Sequence, residues 1–129
     1  MDTLKVLEKF GPGCHFLGHG YPADLSELLS AVALPNAVFT ECPSNPLLVT
    51  PDFRALRALA DQYDILLIVD ATIGNMCNVE VLPYADIVVH SLSKVFSGCA
   101  DVTGGRCAPL PILPHPNDFS HWSSSQPDA

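Results

Sequence analysis

Basic residues are scarce in this chain. Three lysines (Lys5, Lys9, Lys94) and three arginines (Arg54, Arg57, Arg106) stand against 14 acidic side chains, a formal net charge of -8 at pH 7. Nucleic acid and anionic membrane both attract basic surfaces, so neither is expected as a partner. No apolar stretch approaches the length of a membrane span. The first ten residues carry acids where a secretory signal needs an apolar core. No Cys-x-x-Cys pair occurs among the five cysteines, Cys14, Cys42, Cys77, Cys99 and Cys107. An odd number without paired spacing reads as reduced thiols in a cytoplasmic protein. Cys14, His15 and His19 lie in a glycine-rich stretch without a second spaced pair, so no metal site is expected. Gly11-Pro-Gly13 lacks a preceding strand and a correctly placed third glycine, so it is not a dinucleotide fingerprint. No internal repeat is visible.

What the chain does contain is a compact set of apolar elements. Its 129 residues are 48% hydrophobic and 16% charged, which suits one packed α/β domain or a buried piece of a larger one. Asp24-Leu-Ser-Glu27 reads as a helix start, with Asp24 as N-cap and Glu27 in the capping-box position. Leu25, Leu28, Leu29 and Val32 then share a helical face. Ala37-Val-Phe-Thr-Glu41 is a short strand. Thr50 as cap and Pro51 at the first helical position predict a second helix running to Tyr63. Its inner stripe is Phe53, Leu56, Ala60 and Tyr63. Ile65-Leu-Leu-Ile-Val69 is apolar on both faces, as in a central parallel strand covered by helices on both sides, and Ile87-Val-Val89 repeats that signature. This order predicts a parallel βαβ arrangement with right-handed crossovers. From Cys107 onward Pro109, Pro111, Pro114, Pro116 and Pro127 interrupt the chain, and residues 107–129 read as an irregular tail.

In parallel sheets ligands gather at the carboxyl ends of the strands. Asp70, Ser91 and Lys94 all fall at or just beyond such ends. Lys94 is the sole lysine outside the N-terminal segment, and it follows Ser91-Leu-Ser93, whose hydroxyls can bind a phosphate beside free backbone N–H groups. Together these supply an amine, a hydroxyl-lined anion site and a carboxylate. Pyridoxal 5'-phosphate needs those three groups, for its aldehyde, its phosphate and its ring nitrogen. A lysine near a helix terminus and a strand-end aspartate capping a turn are the ordinary alternatives for each residue alone. Asn45, between Ser44 and Pro46, has a plain turn explanation.

Four ordered motifs go further. Glu41-Cys-Pro-Ser-Asn-Pro46, Val69-Asp-Ala-Thr72, Ala85-Asp-Ile-Val-Val-His-Ser-Leu-Ser-Lys94 and Gly98-Cys-Ala-Asp-Val-Thr-Gly-Gly105 resemble the Cys/Met-metabolism family of pyridoxal-phosphate enzymes. Phe10-Gly-Pro-Gly-Cys14 and Thr72-Ile-Gly-Asn75 look most like fungal cystathionine gamma-synthase-like members. The resemblance implies a large cofactor-binding domain fragment of the fold-type I, aspartate-aminotransferase-like α/β fold over residues 1–106. It assigns Lys94 to the covalent link with the cofactor and Asp70 to the pyridine nitrogen. Ser91 and Ser93 match phosphate-contacting hydroxyls, with Ser93 where threonine is usual. Asn45 matches the residue near the ring hydroxyl, and Thr72 a hydroxyl residue close to the ring.

The implied activity is transsulfuration, with cysteine replacing the acyl group of an O-acylhomoserine in methionine biosynthesis. Cystathionine or methionine gamma-lyase activity is the alternative within the family, because fold does not decide the reaction. The partners implied are a small amino-acid substrate and a second copy in a homo-oligomer. Family members are much longer chains. The segments carrying their glycine-rich phosphate loop and their carboxylate-binding arginine have no match here, which points to a truncated copy. A catalytically inactive cofactor-binding fragment or dimer decoy is therefore the rival expectation. A Schiff-base lysine enzyme without cofactor is a further one.

Overall fold

The computed structural model describes residues 2–31, 34–99 and 101–109. The order of elements is α1 (Asp2–Phe10), α2 (Pro22–Ala31), β1 (Ala37–Glu41), α3 (Phe53–Tyr63), β2 (Leu66–Asp70), α4 (Asn75–Asn78), β3 (Ile87–Ser91) and β4 (Gly105–Pro109). The strands form one sheet in the order β1-β2-β3-β4. β1 pairs with β2 and β2 with β3 in parallel, with Glu41 opposite Asp70 and Asp70 opposite Val89. β4 returns antiparallel to β3, with Ser91 opposite Gly105. The βαβ expectation holds for the first three strands. β4 carries regular structure through Cys107 to Pro109, three residues into the stretch read as a tail. The rest of that tail, and Val32 of the α2 stripe, lie outside the described residues.

Two helix starts differ from expectation. α2 begins at Pro22, so Asp24 is an acid of the first turn rather than the cap. α3 begins at Phe53, two residues past Pro51, with Asp52 as N-cap. The Asp52 carboxylate accepts from the backbone N–H groups of Arg54 (3.0 Å) and Ala55 (3.1 Å), which is the usual cap geometry. Proline at the first helical position thus marks α2, not α3. The later start places Phe53 at the head of the buried stripe with Leu56 and Ala60, while Tyr63 stays half-buried. α1 was not anticipated. It leaves Val6 and Phe10 exposed, and none of its described side chains joins the core.

The core joins Leu25 and Leu29 of α2 with Phe53, Leu56 and Ala60 of α3, and with Leu67, Val69 and Val88 of the sheet. Strand side chains alternate between faces, so Leu67, Val69 and Val88 define the face under α3. The other face carries Phe39, Leu66, Ile68, Ile87 and Val89. Phe39 is exposed, Leu66 is buried and the remaining three are half-buried. The two-sided helical cover expected for β2 and β3 is therefore one-sided among the described residues.

At the amino ends of β2 and β3 a charged clamp ties helix to sheet. The Asp86 carboxylate accepts from the Leu67 backbone N–H (2.7 Å) and from Arg57 Nη1 (2.8 Å), and Arg57 also pairs with Asp61 at 2.8 Å.

Candidate functional site

The carboxyl ends of β1, β2 and β3 form one rim. Glu41, Asp70 and Val89 are register partners. Alternation then puts Ser91 on the same face as Asp70, and His90 on the face under α3. The site thus opens on the face that helices leave uncovered.

Where β2 leaves the sheet the backbone is fully committed. Ala71 N–H still donates to Val89 O (3.0 Å), but the Ala71 carbonyl accepts from Asn75 N–H (2.8 Å) as the chain turns into α4. The Ser91 N–H, next along the ladder, needs another acceptor. Thr72 supplies it: the Ser91 N–H donates to Thr72 Oγ1 at 2.8 Å. The same hydroxyl donates to Asp70 Oδ1, which also accepts from the Thr72 backbone N–H at 2.9 Å. Asp70 Oδ1 is held twice, whereas Oδ2 accepts no hydrogen bond among the described residues. Gly74 lies where this turn meets the loop after β1. Its N–H donates to Cys42 O at 3.1 Å, and a Cβ there would lie 2.8 Å from the same oxygen. Only glycine permits that approach.

β3 ends in a turn that carries Ser93 and Lys94. Gly98 N–H donates to Lys94 O (2.9 Å) and Ser97 N–H to Leu92 O (2.9 Å). Ser93 Oγ accepts from Gly104 N–H (3.2 Å), and Leu92 N–H donates to Gly104 O (2.9 Å). With Ser91 paired to Gly105, residues 92–104 form a loop closed at its neck. Lys94 is exposed on it, and its ammonium makes no ion pair among the described residues.

Of the six residues read from sequence, Asp70, Thr72 and Ser91 are brought into one hydrogen-bonded group. Ser93 and Lys94 follow on the adjoining turn. Asn45 stands apart: it is exposed in the loop after β1, and its backbone N–H donates to Glu41 Oε2 at 2.8 Å. Two features went unread. His90 buries both ring nitrogens without a hydrogen-bond partner among the described residues; its place between Val89 and Ser91 gave no sign of that. Cys42 is fully buried, and burial pushes its thiol up. A thiol held protonated and out of water is a poor nucleophile. At pH 8 iodoacetamide should label the exposed Cys77, Cys99 and Cys107 and leave Cys42 unmodified until the chain unfolds. Native labelling of Cys42, seen by peptide mass analysis, would contradict its placement.

An exposed amine, a carboxylate with one unbonded oxygen and two serine hydroxyls on one rim fit the three handles of pyridoxal phosphate. The comparisons with known proteins agree. Residues 3–109 match the family described as Cys/Met metabolism PLP-dependent enzymes. A cystathionine gamma-synthase-like enzyme of Amanita muscaria is 54% identical over 114 residues, covering 81% of this chain and 19% of its own length. A cystathionine gamma-synthase of Neurospora crassa is 50% identical over 109 residues, covering 81% of this chain and 18% of its own. The chain thus spans about a fifth of the length of these curated relatives. Among solved structures, a putative O-acetylhomoserine (thiol)-lyase of Campylobacter jejuni, containing a pyridoxyl-lysine phosphate, superposes with a TM-score of 0.72. It is 27% identical, over 82% of this chain and 26% of that one. No helix among the described residues is long and apolar enough to cross a membrane. By fold, by ordered motifs and by sequence, the chain belongs to the Cys/Met-metabolism family of pyridoxal-phosphate-dependent enzymes.

Proposed function

We propose that this chain carries the cofactor-anchoring part of a transsulfuration-type enzyme, which replaces the acyl group of an O-acylhomoserine with cysteine sulfur. The observation that carries the reading is the rim itself. Asp70 offers Oδ2 unbonded, on the face it shares with Ser91, and Lys94 stands exposed on the turn that follows. Lys94 Nζ is assigned as the covalent anchor for the cofactor aldehyde. It is also the base that takes a proton from the substrate α-carbon. Asp70 would hold the ring nitrogen and Ser91 and Ser93 the phosphate; the family resemblance assigns Thr72 to the ring and Asn45 to the ring hydroxyl. Bound pyridoxal phosphate supplies an electron sink for the carbanion chemistry.

A second reading, cofactor binding without turnover, is favoured by two of the three arginines. A substrate α-carboxylate calls for a planar two-point hold. Arg57 is committed to Asp61 and Asp86 at the opposite end of the strands, and Arg54 reaches Tyr84 Oη at 3.5 Å. Turnover with an O-acylhomoserine and cysteine separates the two readings, and a gamma-lyase would release product without cysteine.

Both readings share one test. Incubation with pyridoxal phosphate, borohydride reduction and peptide mass analysis should place a pyridoxyl adduct on Lys94. Replacement by Lys94→Ala should abolish it. Labelling confined to Lys5 or Lys9 would sink the assignment.

A further inference from the structure

We propose that Thr72 is a positioning residue which aims Asp70 and couples it to the turn bearing Lys94; this rests on the cofactor assignment above. The argument begins with the direction of one proton. Thr72 Oγ1 accepts the Ser91 N–H at 2.8 Å, so its own hydrogen is directed to the other available acceptor, Asp70 Oδ1. One hydroxyl thus acts as acceptor and donor at once, bridging the Ser91 N–H and Asp70 Oδ1. The Thr72 backbone N–H adds a second donor to the same oxygen. Asp70 therefore presents Oδ2, and only Oδ2, to whatever enters the rim.

The coupling follows from where Ser91 sits. It is the last residue of β3, and the Leu92–Gly104 and Ser93–Gly104 hydrogen bonds begin directly after it. Thr72 is thus the link between the end of β2, where the carboxylate lies, and the neck of the loop that bears the lysine. Its hydroxyl stands where a carbonyl would continue the ladder, because Ala71 O is engaged by Asn75. Serine could make the same two bonds; valine, of the same shape, could make neither.

The test uses the 129-residue chain and two readouts, neither of them turnover. First, without cofactor, the Ser91 amide in Thr72→Val should exchange its hydrogen at least tenfold faster than in the unmodified chain, with Thr72→Ser restoring protection. Unchanged exchange would overturn the bridge. Second, Thr72→Val should raise the dissociation constant for pyridoxal phosphate about fivefold and shift the absorption band of the bound cofactor, again with rescue by Thr72→Ser. The effect should vanish in an Asp70→Asn background, because a residue acting through another has nothing left to act on. An effect equally large with and without Asp70 would reduce Thr72 to a structural residue and overturn the proposal. Failure of the unmodified chain to load pyridoxal phosphate at all would instead remove the cofactor assignment and the role built on it, while Ser91 exchange still decides whether the bridge exists.

Discussion

Asp70→Asn should raise the dissociation constant for pyridoxal phosphate roughly ten- to hundredfold and alter the absorption of the bound cofactor. A charge-assisted hydrogen bond to a pyridinium contributes about 1.5–3 kcal/mol. The substitution removes the charge while leaving a carbonyl oxygen that can still accept from the Thr72 N–H. The strand end should therefore keep its shape, and the loss is electrostatic. Glu80→Gln, on an exposed acid between α4 and β3, removes the same formal charge and should change affinity less than twofold. Equal effects from the two would mean that Asp70 acts only through overall charge.

The second large effect lies at the other end of the strands and concerns stability. Asp86→Ala removes the acceptor of the Leu67 N–H and the partner of Arg57 Nη1. The two side chains are 12% and 18% exposed, and Leu67 is fully buried. Truncation leaves a buried N–H unsatisfied and a guanidinium half paired, together about 3 kcal/mol. That is a large share of the stability of an ordinary domain. Urea unfolding should show it as a lower midpoint with an unchanged slope. Asp86→Asn keeps a carbonyl for Leu67 and should lose about 1 kcal/mol. A loss below 1 kcal/mol for the alanine variant would mean that water replaces both bonds.

The parts legible in sequence were those fixed by local pattern. β1, β2 and β3 are short apolar runs bounded by turn residues, and each formed close to where the run lies. Helix starts were less legible, because cap-type residues compete: Thr50, Asp52 and Asp24 all suit an N-cap, and tertiary burial of Phe53 chose Asp52. β4 was invisible because Gly-Arg-Cys-Ala-Pro has no alternation. Its ladder with β3 holds it as a strand, and pairing across residues 92–104 is not a local property. The site divides in the same way. Asp70, Ser91 and Lys94 were proposed from strand ends and Ser93 from its hydroxyl beside them, Thr72 and Asn45 from the family resemblance. The hydroxyl link from Thr72 to Ser91 was not readable, since it arises only because Asn75 claims the Ala71 carbonyl.

The closed neck of the Lys94 loop bears on how this chain can vary in length. Ser91 and Gly105 are held together by the strand pair, so the ends of the loop stay in place whatever lies between them. Lengthening a flexible loop whose ends are already joined costs little, about 0.6 kcal/mol for each doubling. The first half has no such freedom, because the bonds from Ser97 to Leu92 and from Gly98 to Lys94 fix the lysine relative to the end of β3. Length changes after Asp101, whose carboxylate accepts from Ser97 Oγ at 3.1 Å, and before Gly104 should therefore leave the amine in place. Such changes would leave the amine proposed as the cofactor anchor at a constant distance from the sheet.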